Sequence, residues 1–288
     1  METGIVVVEK VAGKSTVTRC FCKCPLKLII PTKVGFPNTD AVWIYTLSYG
    51  GGLVSGDSIC CAITVGDGCT TVLTTQASTK VYKSVGSKCS EQFLEARVGG
   101  SALLAVIPDP VTCFSTARYS QKQVFRVTSD SSLLIVDWLT SGRHENGEKW
   151  DFEFYKSTNN IYLEGDRPLF LDSVLLEQGS CSSIAERMQD YQVIAMVILM
   201  GPQLKHLQTQ VQGEVKKIMS TQFYAPGMKR KSEHCQIKPA LIASCSAFGP
   251  KSVGVVVRIA AMTTESVYTF LRHQLASMEP LLGASPYC

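Results

Sequence analysis

Three short turns recur along the first half of this 288-residue chain at a spacing of about 30 residues, and each closely follows a valine that ends an apolar-rich run. Gly66-Asp67-Gly68 separates Ile59–Val65 from Cys69–Thr75, and Gly99-Gly100-Ser101 separates Phe93–Val98 from Ala102–Ile107. Ser129-Asp130-Ser131-Ser132 separates Val124–Thr128 from Leu133–Leu139. Runs this short, rich in β-branched residues and bounded by glycine, aspartate and serine, read as strands. Their regular return predicts a mainly β chain, a β-helix- or solenoid-like stack in which each coil buries its apolar face on the next. Similarity between the units is weak, so a β-sandwich stays open. Strand after strand is expected from about residue 17 to about residue 178, including Trp150, Phe152 and Phe154 alternating with Asp151 and Glu153.

Helical periodicity appears only late. After Gly201-Pro202, residues Leu204, Leu207, Val211, Val215 and Ile218 make one apolar stripe. Val267, Leu271, Leu275 and Met278 make another before Pro280. The expectation is a small C-terminal helical element over about 202–219 and 265–279, within a single β-rich domain of residues 1–288. A polar loop over about 220–238 is the segment expected to be mobile, and strands over Ala240–Ser246 and Val253–Ala261 fill the rest.

Composition narrows the function. A net charge of +4, with Lys229-Arg230-Lys231 as its one dense basic run, gives no basic face for nucleic acid. Val193 to Met200, the longest apolar run, is too short to span a bilayer. No secretory signal opens the chain, so a soluble, cytoplasmic protein with mostly free thiols among its 12 cysteines is expected. Cys20, Cys22 and Cys24 would share one face of a strand, either as small apolar residues toward the core or as a soft-metal patch.

Nucleophile–base pairs and ligand clusters are scarce. Gly13-Lys14-Ser15 ends like a phosphate-binding loop, but Val8 stands where that motif needs glycine. His144, His206, His234 and His273 are scattered, and His234-Cys235 is a lone neighbouring pair. Glu145 and Glu148 lie in a glycine-bracketed turn that could hold an acid/base pair or be merely solvated. Pro108-Asp109-Pro110 forces a stiff corner that either joins two strands or presents Asp109, Phe114 and Arg118.

Residues 50–84 are richer. Gly50-Gly51-Gly52 and Gly56 lead into Asp57, and after a strand-turn-strand the chain turns polar at Thr74, Thr75, Gln76, Ser78 and Thr79, with Lys80 the one charge among them. The blocks Gly51-Gly52-Leu53-Val54-Ser55-Gly56-Asp57 and Thr74-Thr75-Gln76-Ala77-Ser78-Thr79-Lys80-Val81-Tyr82-Lys83-Ser84 resemble signature segments of the urease accessory protein UreD (UreH) family. Pro108-Asp109-Pro110-Val111 with Ala117-Arg118-Tyr119-Ser120-Gln121, and Gly142-Arg143 with Gly147-Glu148, resemble the next two. Ser55 departs from the glycine or alanine expected at its position, and Cys20 to Cys24 match no family motif.

The resemblance implies a β-helix-like fold with a few helices and no enzymatic activity. It implies a urease maturation factor: a scaffold or conduit that, with a UreF-type accessory protein and a UreG-type GTPase, delivers nickel to the urease apoprotein. No cofactor would be permanently bound, nickel being only in transit. If 74–82 is one strand, Thr74, Gln76, Ser78, Lys80 and Tyr82 share one face, and Thr75, Ala77, Thr79 and Val81 the other. Neutral oxygens replace part of an ion's hydration shell without trapping it, as imidazole or thiolate would. Asp57, Thr74, Thr75, Gln76 and Lys80 are therefore the candidate nickel path, and Asp109, Arg118, Arg143 and Glu148 the candidate partner contacts. No resident metal site is assigned. Two other readings stay open: a β-solenoid polysaccharide hydrolase or lyase, using Glu145/Glu148 and Trp138/Trp150, and a generic β-rich adaptor.

Overall fold

The computed structural model describes residues 2–32, 39–164, 166–179, 182–223 and 238–287, without the side chains of residues 221–223. The loop expected over 220–238 falls mostly outside the described residues, as do His234-Cys235 and the Lys229-Arg230-Lys231 run.

β1 (Gly4–Val11) and β2 (Lys14–Cys22) form an antiparallel hairpin whose turn holds Gly13 at a φ of +79°. Gly13-Lys14-Ser15 therefore makes a hairpin, not a loop entering a helix. β3 (Leu26–Ile29) pairs antiparallel with β4 (Ala41–Ser48). The chain then coils through β5 (Ser58–Val65), β6 (Thr70–Thr75), β7 (Thr79–Val81), β8 (Ser90–Val98), β9 (Leu103–Val106), β10 (Val111–Cys113), β11 (Arg118–Val127), β12 (Ser132–Thr140) and β13 (Phe154–Leu163). β14 (Arg167–Glu177), α1 (Ile184–Met188), β15 (Val193–Met200), α2 (Lys205–Phe223), β16 (Leu241–Phe248), β17 (Gly254–Ala261), α3 (Thr264–Leu275) and α4 (Glu279–Leu282) complete it.

Between β4 and β13 the chain passes back and forth between two stacked sheets. The first runs β14-β13-β11-β8-β5-β1-β2, and the second β16-β17-β15-β12-β9-β6-β4-β3, with β10 and β7 branching from β12. The coils stack in register: Val65 lies beside Val98, Val98 beside Val127 and Val127 beside Leu163. The recurring turns thus mark a β-solenoid-like stack, as their spacing predicts.

One core lies between the sheets and a second between the second sheet and the helices. The second sheet is buried on both faces, which is why β12 and β15 read as nearly unbroken apolar runs. Leu204, Leu207, Val211 and Val215 fill the helix-side core with Val267, Leu271, Leu275 and Met278, as their spacing predicts. Trp43 ties the C-terminal helices to β4 by donating its Nε1–H to the Leu282 carbonyl at 2.8 Å.

Three expectations need correction. Strands begin at β1, well before residue 17, and β1 inserts parallel to β5. Trp150 to Glu153 alternate in burial without being a strand: Trp150 has a φ of +56°, and the Gln178 amide satisfies the Trp150 and Phe152 carbonyls at 2.8 and 3.0 Å. Cys20 and Cys24 are exposed and Cys22 half-buried, with Cys24 beyond the end of β2, so the three do not share a core face. All nine described cysteines are free thiols.

Candidate functional site

The second sheet is split. β6 and β9 stay paired as far as Leu73 and Val106, and β7 and β10 resume pairing at Thr79 and Val111. Residues 107–110 lie between, where Pro108 and Pro110 have no N–H for a ladder and hold the preceding residues extended. β12 likewise pairs with β9 up to Ile135 and with β10 from Leu139, which leaves Val136, Asp137 and Trp138 beside the gap. Side chains take over the lost bonds. The Thr74 hydroxyl donates to the Ile107 carbonyl at 2.8 Å, the Asp109 N–H donates to Thr75 Oγ1 at 2.8 Å, and Trp138 Nε1–H donates to the Pro108 carbonyl at 2.8 Å.

The single strand expected over 74–82 is therefore two strands joined by a bend at Gln76-Ala77-Ser78. Alternation does not run through the bend, so the face proposed for Thr74, Gln76, Ser78, Lys80 and Tyr82 does not exist. Thr75 lines an interior cavity, Gln76 lines an outer cleft, and Lys80 is exposed on β7.

Behind the slit, two adjacent rungs of the first sheet are polar on their inner face. Gln92, Gln121 and Ser157 lie side by side in one; Gln123, Asn159 and Asp172 lie side by side in the next. Beyond them the rung Ile63, Ala96, Phe125 and Ile161 returns to apolar packing. Opposite this band stands Asp137. Its neighbours two residues away on β12, Ile135 and Leu139, face the inter-sheet core, so by alternation Asp137 occupies a core position. Gln121 Nε2, Ser157 Oγ and Asn159 Nδ2 donate to its carboxylate at 2.7, 2.6 and 2.7 Å, all reaching across from the other sheet. Burial raises the Asp137 pKa above the ordinary carboxylate value, with the Asp172 charge adding to the shift against those hydrogen bonds.

Three hollows meet along this line. An open cleft of about 550 Å³ is lined by Gln76, Ser78, Asp109, Tyr268, Arg272 and Tyr287. An inner cavity of about 110 Å³ is lined by Thr75, Asp109, Gln92, Gln121, Gln123 and Asp137. A second cavity of about 220 Å³ is lined by Asp137, Ser157, Asp172 and Arg258. Asp109 borders the first two hollows and Asp137 the last two. Asp172 Oδ1 accepts from half-exposed Arg258 at 2.6 Å, while its buried Oδ2 has no hydrogen-bond partner among the described residues.

This is a line of separated hard donors, not a cage. Among the described residues no three His, Cys, Asp or Glu side chains are grouped to hold a metal ion. Cys61 also borders the inner cavity, but burial and neighbouring thiols push its pKa up to about 12, so it offers no thiolate. Carboxylates and neutral oxygens spaced this way suit a hard or borderline cation in passing better than a resident one.

The remaining sequence-predicted residues lie elsewhere. Asp57 closes a tight turn, its carboxylate accepting from the Val54 N–H at 3.0 Å. Arg118 pairs with Glu153 at 3.1 Å and lies over the Phe154 ring. Arg143 forms an ion pair with Glu148 and stacks 4.0 Å from the Phe114 ring centroid. Asp109 is not grouped with them. It sits in the slit, with Thr75 and Tyr268. The sugar-cleaving reading loses its parts: Glu148 is held by Arg143, and Trp138 and Trp150 are only 2% and 1% exposed. Asp137, Gln123, Ser157, Asn159 and Asp172 lie outside every quoted motif, and Gln121 stands inside one without being assigned a role. The signal for the first was available, as one acid inside Leu133-Leu134-Ile135-Val136-Asp137-Trp138-Leu139.

Comparison with known proteins fits this architecture to a family. A family profile described as the UreD urease accessory protein matches residues 3–288. The urease accessory protein D of Arabidopsis thaliana is 66% identical, with 100% of both chains covered. The urease accessory protein D of Oryza sativa subsp. japonica is 62% identical over 99% of this chain and 94% of its own. UreD of Anaeromyxobacter sp. (strain Fw109-5) is 34% identical over 99% of this chain and 88% of its own. No helix among the described residues is long and apolar enough to cross a membrane.

Proposed function

The chain belongs to the UreD urease accessory protein family, and from that premise we propose that it is a non-enzymic urease maturation factor whose polar inter-sheet band conducts nickel. In this reading it works in the cytoplasm with a UreF-type accessory protein and a UreG-type GTPase on the urease apoprotein. It holds no permanent cofactor, and nickel is its cargo. The observation that carries the reading is Asp137, a carboxylate in a core position between two cavities, hydrogen-bonded by Gln121, Ser157 and Asn159. Desolvating a carboxylate at a half-buried core position is costly, and apolar packing at this position would avoid that cost, so the polar band asks for a functional explanation. A cation moving along it exchanges water for amide, hydroxyl and carboxylate oxygens one group at a time.

The path proposed runs from Gln76 in the cleft through Thr75 and Asp109 at the slit to Asp137 and Asp172. Thr74 shapes the slit by tying Ile107, while Asp57 and Lys80 stand outside the lining and support the adjoining turns. Arg118 opens β11, while Arg143 and Glu148 lie in the segment after β12, with Arg143 over the Phe114 ring; this end is proposed to dock a partner. The test is reconstitution. Apo-urease is matured with the other accessory proteins, with and without this chain, and nickel content and urea hydrolysis are measured. Both should rise only when the chain is present; equal values in its absence would remove the maturation role.

A further inference from the structure

The outer mouth of the slit is covered by the chain's own C-terminal region. The Tyr268 hydroxyl, from α3, donates to Asp109 Oδ1 at 2.7 Å. The other oxygen, Oδ2, lies 3.4 Å from the Thr75 hydroxyl. Tyr287 donates its hydroxyl to the Pro108 carbonyl at 3.0 Å, the same oxygen that Trp138 Nε1 reaches from the sheet. Arg272, one turn after Tyr268, donates Nε–H to the Tyr287 carbonyl at 2.7 Å and so holds Tyr287 against α3. The rings of Trp138, Tyr268 and Tyr287 pack edge-to-face, with centroids 4.7, 6.0 and 5.8 Å apart.

We propose that α3 and Tyr287 form a latch over the slit, in which the Tyr268 hydroxyl occupies Asp109 until an arriving cation takes its place. This inference rests on the conduit reading above. Two hydrogen bonds from tyrosine hydroxyls close the port, and both join a C-terminal residue to the Pro108-Asp109 corner. A cation approaching from the cleft meets Asp109 before any other carboxylate of the line, and at Oδ1 it competes with the Tyr268 phenol O–H. Burial and the Asp109 charge raise the Tyr268 pKa, so the phenol keeps its proton and remains a donor. A hydrogen bond is a release that can be reversed; a covalent or tightly packed plug would not be.

The test uses the full chain with Tyr268→Phe, Tyr287→Phe and the double variant, all of which keep the ring stack. Two quantities are read: acrylamide quenching of Trp138, and the rate of apo-urease activation with the other accessory proteins. A Trp138→Phe background assigns the quenching to that indole. The latch predicts increased quenching in each variant, largest in the double one, and faster activation. Losing a hydrogen bond to a charged acceptor should make opening about tenfold more frequent. Quenching unchanged in the double variant overturns the latch. Increased quenching with unchanged activation leaves the latch standing and contradicts the conduit.

Discussion

Gln121 and Asp137 belong to opposite sheets, and the 2.7 Å bond from Gln121 Nε2 to Asp137 Oδ1 crosses the core between them. Because burial raises the Asp137 pKa, the folded chain holds that proton more tightly than the unfolded chain. The associated stability is present below the ordinary carboxyl value of 3.8 and is lost as pH rises through the higher folded value. Asp137→Asn should flatten this part of the stability curve, which urea unfolding across pH would show.

Thr75→Val keeps the shape of the side chain and removes the oxygen that accepts the Asp109 N–H. It should cost about 1 kcal/mol and slow nickel delivery more than that loss of stability explains. Chemical denaturation and urease activation on the same preparation separate the two effects.

The Arg143 hydrogen bond holds the Glu148 pKa below its ordinary value of 4.5. Its contribution is present above that value and lost as pH falls through the lower folded one. Glu148→Gln should reduce the melting temperature by a few degrees at neutral pH and converge with the parent chain in acid. Calorimetry at both pH values checks this.

Gly52 has an extended backbone, so its requirement for glycine is one of space. A Cβ there would lie 2.7 Å from the Lys80 carbonyl oxygen and 2.8 Å from Tyr82 Cε2. Gly52→Ala should therefore destabilise by about 1–3 kcal/mol, and it should weaken the isolated bridge between Leu53 and Val81. Hydrogen exchange of the Leu53 amide, which donates to the Lys80 carbonyl, reports it.

Much of the fold was legible because solenoid coils repeat locally. Val65, Val98 and Val127 precede turns in the sequence and lie in one row in the structure. Leu207, Val211 and Val215 likewise carry their helical face openly. β1 was not legible because Ile5-Val6-Val7-Val8 has no alternation to separate strand from buried helix. The break after Thr75 was hidden because its cause, Pro108-Asp109-Pro110, lies a full coil later. The polar band was hidden for the same reason: Gln121, Asn159 and Asp137 become neighbours only through register and sheet stacking, which no local window contains. The motif residues Thr75, Gln76 and Asp109 mark the slit, but of the line of donors behind it only Gln121 lies in a motif.

The most direct test replaces Asp137 with leucine and counts nickel atoms in urease matured by the variant. Co-purification with the accessory partners first shows that assembly is intact, since each of the three stranded donors costs about 1–3 kcal/mol. The account predicts a fully assembled complex that delivers little nickel. Full nickel loading by an assembled Asp137→Leu complex would contradict it.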